Sequence, residues 1–154
     1  MNRRIACGAV LGLALLSVCV SVEAKPPTCA QPVGKWQNEQ MSVVEISSYD
    51  AATGALSGHY TSHSGASAGS TPYPVMGWII APSVESGKGD HAAVITFLVH
   101  WGAIGGVSAW TGTCAVNSHS GLERISALWH TARPNGKYEW DHTLTGADRF
   151  GPIE

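Results

Sequence analysis

From Gly34 to Phe150 the chain is a series of short runs whose side chains alternate in character at every second position, and Gly, Pro, Asn, Asp or Ser separates them. A two-residue period is that of a strand with one face turned inward. No stretch in this region repeats with the helical period. One run, Gly34 to Ile46, puts Trp36, Asn38, Ser42, Val44 and Ile46 on one parity. Ala55 to Ser62 does the same with Leu56, Gly58, Tyr60 and Ser62, after a turn at Asp50–Gly54. His63 to Pro72, rich in Ser, Gly and Ala, reads as a flexible loop. Tyr73 to Ala81 follows, with Pro72 and Pro74 at its start; Trp78 falls on the outward parity. Ala92 to Trp101 aligns Ile95, Phe97, Val99 and Trp101, and Ser108 to Ala115 aligns Ser108, Trp110, Gly112 and Cys114. Glu123 to Thr131 aligns Ile125, Ala127 and Trp129. Tyr138 to Phe150 aligns Trp140, Leu144, Gly146, Asp148 and Phe150. With a polar hairpin at Glu85–Asp90, flanked by one more short strand, this makes about eight strands joined by short connections. The fold class is therefore all-β: an eight-stranded antiparallel up-and-down β-barrel, in which closure removes the unpaired edges.

The barrel does not include the start of the chain. Arg3 and Arg4 precede an apolar run from Ile5 to Val20, and Val22-Glu23-Ala24 has the small residues of a cleavage site. This is the layout of a secretory signal peptide, too short to read as a membrane span. The expected organisation is a leader over 1–24, an N-terminal arm over 25–33 and a barrel domain over 34–152, in a secreted protein, extracellular or periplasmic. The whole chain carries a net charge of −2; losing Arg3, Arg4 and Glu23 takes it to −3. No basic patch stands out, so neither nucleic acid nor a membrane is an expected partner. Cys7 and Cys19 leave with the leader. Cys29 and Cys114 remain, an even pair in an exported chain, to be read as one disulfide or as two free thiols.

The inward parity is chemically mixed. Asn38, Ser42, Tyr60, Ser62, Ser108 and Asp148 share it with the apolar residues. A barrel closed only for packing has no use for them, because each buried polar group left unpaired costs about 1–3 kcal/mol. They can satisfy one another, a water or a ligand. Of the six tryptophans, Trp36 reads as core and Trp78 as outer surface. Trp101, Trp110, Trp129 and Trp140 fall on runs that carry an inward polar group or end at a loop. Aromatic walls with a few placed polar groups are the usual anatomy of a small-molecule site.

Several segments then resemble one known family in order. Gly34-Lys35-Trp36-Gln37-Asn38 is similar to G-x-W-x-N, and Gly54-Ala55-Leu56-Ser57-Gly58-His59-Tyr60 to G-x-L-x-G-x-Y. Ala109-Trp110-Thr111-Gly112-Thr113-Cys114 resembles an aromatic-S/T-G-Q strand, with Thr113 at the last position, and Arg124 to Trp129 a segment ending in Trp. Trp140 to Phe150 resembles W-x-x-T-L-x-G-x-D-x-F. These are motifs of the avidin and streptavidin family, and the likeness is to its bacterial-type members. It covers nearly the whole mature chain.

The resemblance implies high-affinity binding of biotin in the open end of the barrel. It implies Asn38, Ser42 and Tyr60 as donors to the ureido oxygen, and Asp148 and Ser62 as acceptors from the ureido N–H groups. Ser108 matches a hydroxyl near the ring sulfur, and Trp101, Trp110 and Trp129 match the walls. Trp140 matches a tryptophan that completes a neighbouring subunit's site, so a homo-oligomer, dimer or tetramer, is implied. Cys29 and Cys114 resemble the disulfide of the family's egg-white branch. Biotin is the implied ligand; no cofactor and no metal are. The chain departs from the family at Gly105-Gly106, where a hydroxyl often sits near the tail carboxylate, leaving backbone N–H groups, Ser64 or Ser67 to substitute. It departs also at Gln40 and Thr131, where apolar residues are common. Sequestering biotin outside the cell is the expected role.

An enzyme is the competing class. The seven histidines are scattered, and no metalloprotease, nucleophile-elbow or phosphate-loop pattern occurs. A lipocalin-like carrier of another small ligand is the alternative binding class. It predicts an oily interior, against which Asp148 and the Asn38/Ser42/Tyr60 group stand.

Overall fold

The computed structural model describes residues 5–7, 19–21, 25–81 and 91–154. The cleavage site over 22–24 and the hairpin expected at Glu85–Asp90 lie outside them. Ile5–Cys7 and Cys19–Ser21 pair antiparallel with each other in a sheet of their own.

Eight strands form a closed barrel: β1 (Gly34–Asn38), β2 (Val43–Tyr49), β3 (Ala55–Thr61), β4 (Pro72–Ile80), β5 (Ala93–His100), β6 (Val107–Val116), β7 (Glu123–Ala132) and β8 (Thr143–Ile153). Each pairs antiparallel with the next, and β8 pairs back onto β1 through Phe150 opposite Asn38 and Ile153 opposite Lys35. The β-branched and aromatic content of these runs suits a pleated, half-buried surface.

Two of the expected runs are corrected. Gly34 to Ile46 is not one strand but a hairpin. Asn38 N–H bonds Ser42 O and Met41 N–H bonds Asn38 O, so the loop is Glu39–Met41, with Met41 at φ 66°. Trp36 faces Val44 and Gly34 faces Ile46, even number opposite even number. The parity therefore runs through the turn unbroken, and alternation alone cannot reveal it. This hairpin supplies the eighth strand. Tyr138 to Phe150 is also not one strand. Glu139–His142 forms a 3₁₀ turn; the strand begins at Thr143 and continues to Ile153.

The barrel is filled unevenly along its axis. Towards the end that holds the turns at Asp50–Gly54 and Asn117–Gly121, the interior is apolar: Ile46, Leu56, Ile79, Ile95, Ile125 and Phe150 are buried. Each such side chain contributes about 1.5–3 kcal/mol when fully removed from water. The N-terminal arm ties onto this end. Trp36 Nε1–H donates to Pro32 O at 3.0 Å. Cys29 and Cys114 are joined, with S–S 2.06 Å and Cα–Cα 5.5 Å. Glu123 approaches that bridge, but bridged cysteines offer no thiolate, so Cys29, Cys114 and Glu123 are not a metal centre.

Candidate functional site

The opposite end is open. The connections β1–β2, β3–β4, β5–β6 and β7–β8 all lie there, and a cavity of about 230 Å³ sinks between them. Its lining comes from β3, β6, β7 and β8 and from the loops: Tyr60, Ser62, Trp101, Ser108, Trp110, Trp129 and Asp148 face it. Asn38 and Ser42 are buried just behind this lining. Trp140 is not part of it. It sits on the 3₁₀ turn, 73% exposed, with its ring stacked on Tyr138 at 4.8 Å.

Asp148 is placed by strand ends. β1 stops at Asn38 opposite Phe150. The next inward residue of β8, Asp148, therefore projects beyond β1, where only 7% of it is exposed. Trp110 Nε1–H donates to Asp148 Oδ2 at 2.8 Å. Burial raises the carboxyl pKa above the usual carboxylate range, with Glu39 adding to the rise; the bonds from Trp110 and Asn38 oppose it. Asn38 can donate because its Oδ1 is already committed, accepting from the N–H groups of Gln40 at 3.0 Å and Ser42 at 2.9 Å. Its amide nitrogen is thereby turned towards the carboxylate.

Tyr60 is held by a second chain of bonds. Ser42 Oγ accepts from His63 N–H at 2.9 Å and is hydrogen-bonded to the Tyr60 hydroxyl. Burial pushes the Tyr60 pKa up to about 12, so it remains a donor at any physiological pH. The ring packs flat on Trp110 at 5.2 Å and edge-on to Trp101 at 5.7 Å. Ser62 Oγ donates to Ser64 O at 2.9 Å and fixes the start of the β3–β4 loop.

A third set crosses three strands. Trp101 Nε1–H donates to Ser108 Oγ, and Ser108 Oγ lies 2.6 Å from Thr131 Oγ1. Two hydroxyl protons serve one hydroxyl–hydroxyl bond, so one proton is left for the cavity. Thr131 is thus a working part of the wall rather than a mere loss of apolar surface. Trp129 stands opposite Trp110 in the β6–β7 register. Its ring lies over Gly146, where an added Cβ would come within 2.3 Å of the indole.

The fully buried part of the polar interior read from the sequence is therefore satisfied before any ligand arrives. Among the described residues no fully buried side-chain nitrogen or oxygen lacks a partner. The groups satisfy one another and are oriented in advance, which lowers the ordering cost of binding. Leu144, on the inward parity of β8, also lines the cavity, as do two residues that the strand pattern did not single out, Ile104 and Arg133. Ile104 and Arg133 lie in loops, where no periodicity marks an inward side chain.

A closed eight-stranded barrel with an apolar floor and a cup of aromatic and hydrogen-bonding groups at one end is a small-ligand-binding β-barrel. The chain belongs to the Avidin family, whose sequence model matches residues 26–153. No curated protein sequence matches it. It is similar in structure to core-bradavidin, with 26% identity, TM-score 0.61, and coverage of 77% of this chain and 97% of that one. A shwanavidin variant in complex with biotin gives 25% identity, TM-score 0.61, and coverage of 85% and 100%. The rhizavidin–biotin complex, at 24% identity and TM-score 0.62 over 78% and 98%, shares the fold.

Proposed function

We propose that this protein binds biotin in the open end of its barrel. The observation that carries the reading is the buried carboxylate of Asp148, held by Trp110 at the bottom of a cup walled by tryptophans. Family membership and the biotin complexes of similar proteins support it. An oily ligand has no use for such an acceptor, whereas a cyclic urea offers it an N–H. In this reading Asp148 and Ser62 accept from the ureido nitrogens. Asn38, Ser42 and Tyr60 surround the ureido oxygen, much as oxyanion-stabilising donors do. Ser108 faces the ring sulfur, and Trp101, Trp110 and Trp129 enclose the bicyclic ring. Binding without catalysis is the proposed activity.

Assembly and export complete the proposal. An apolar stripe crosses the outer wall of β4 and β5, where Met76 pairs with Leu98 and Ile80 with Val94, and Trp78 is 48% exposed beside them. Such a stripe suits contact with a second copy, and Trp140 would close a neighbour's cup. With the leader over 1–24 removed, the protein would sequester biotin outside the cell.

The test is a biotin titration read by tryptophan fluorescence together with the melting temperature. A ligand bound only by the folded state raises that temperature by mass action. No quenching and no stabilisation at millimolar biotin would sink the reading.

A further inference from the structure

We propose that Arg133 receives the carboxylate of the ligand's tail; this rests on the biotin reading above. The cavity is polarised along its axis. Asp148 supplies a negative charge at the bottom, and Arg133, from the β7–β8 loop, is the only cationic residue among the described residues of its lining. Arg133 is half-buried and anchored. Its N–H bonds His142 O at 2.9 Å, its carbonyl contacts His142 Nδ1 at 2.9 Å, and its Nε–H donates to Asp141 O at 2.6 Å.

That anchoring uses Nε and leaves the two terminal nitrogens of the guanidinium. No carboxylate pairs with them: among the described residues the one ion pair is Arg149 with Glu39. A positive fork held in place, unpaired and bordering the cavity, is built for a planar anion. Ser64, Ser67 and the Gly105 backbone border the same cavity but carry no charge. The fitting ligand has an N–H-bearing head for Asp148 and an anionic tail for Arg133. Of the groups bordering the cavity near that tail, this residue alone offers a positive charge to the carboxylate.

The experiment compares biotin with biotinamide, its uncharged analogue, on the parent protein and on Arg133→Gln and Arg133→Lys. The parent should prefer biotin by about tenfold, the scale of one charge-assisted bond at a partly solvated rim. Arg133→Gln should bind the two alike, with biotinamide affinity within about twofold of the parent, and Arg133→Lys should recover part of the preference. Added NaCl should erode the parent's preference. If the parent binds both compounds equally, Arg133 has no such role while the biotin reading stands. If the parent prefers biotin and Arg133→Gln keeps that preference, or loses both ligands by the same factor, the residue only positions the loop and the proposal is overturned. If the parent binds neither, the biotin reading itself has failed. The parent comparison needs no variant to fold.

Discussion

Trp110 on β6 donates its indole N–H to Asp148 on β8, spanning 38 positions of sequence in 2.8 Å. One bond therefore ties a wall of the cup to its acceptor, and neither can shift without the other.

The raised pKa of Asp148 has a stability consequence with a definite sign. A carboxyl that holds its proton more tightly when folded is most favourable at low pH. That contribution is lost as pH rises from the ordinary carboxylate value through the raised one. Without ligand, Asp148→Asn should therefore melt at or above the parent at pH 7, and the gap should close as the pH falls towards 3. Biotin affinity should drop in the same variant by about tenfold to a hundredfold, the range for one bond to a charged group. Calorimetric melting across pH, with a biotin titration, checks both.

Ser108 and Thr131 share one bond but not one fate. Ser108→Ala strands the buried Trp101 N–H and should cost about 1–3 kcal/mol. Thr131→Val leaves the Trp101–Ser108 bond intact and should cost less than about 1 kcal/mol. Urea unfolding of the two variants without ligand distinguishes them; equal losses would refute the relay.

Gly146 and Gly112 are both crowded, but by different neighbours. A methyl at 146 meets the Trp129 indole at 2.3 Å, a side chain that can swing aside; one at 112 meets Ser126 O at 2.0 Å, which is backbone. Gly146→Ala should keep the barrel and weaken biotin by about tenfold through a displaced wall, on the scale of an aromatic contact. Gly112→Ala should break the β6–β7 ladder, leaving no cooperative melt. Circular dichroism and titration settle the contrast.

The Cys29–Cys114 bridge closes a loop of 85 residues. Reducing it, or replacing both cysteines with serine, should lower stability by about 4.5 kcal/mol by loop entropy. The bridge lies at the end away from the cup. Biotin affinity of the still-folded double variant should change less than about threefold, well under a 1.4 kcal/mol effect.

Trp140 exposes 73% of its surface. If it closes a neighbour's cup, the parent sediments as an oligomer, and Trp140→Ala loses about tenfold or more in affinity, as expected for a buried interface tryptophan. An unchanged affinity would mean that the cup is complete within one chain.

Most of the barrel was legible because the two-residue period survives wherever a connection preserves parity. Ile95, Phe97 and Val99, and likewise Ser108 and Trp110, are inward as their alternation requires. The same property hid the β1–β2 hairpin, whose Glu39–Met41 loop returns the chain in phase. Over Glu139–His142, alternation is accidental: a 3₁₀ turn follows backbone bonding that side-chain polarity does not encode. Arg133 escaped for a related reason, since its direction is set by bonds to Asp141 and His142 within one loop. The Trp101–Ser108–Thr131 relay depends on how β5, β6 and β7 align, and register between strands is not written in any one strand.

The pairing of Ile153 with Lys35 places the beginning of β1 and the end of β8 side by side, at the pole opposite the cup. A tether fused after Glu154 would therefore leave from the rear of the barrel. A protein immobilised that way would present its mouth to the solution, so attaching the chain to a bead or an electrode need not obstruct capture.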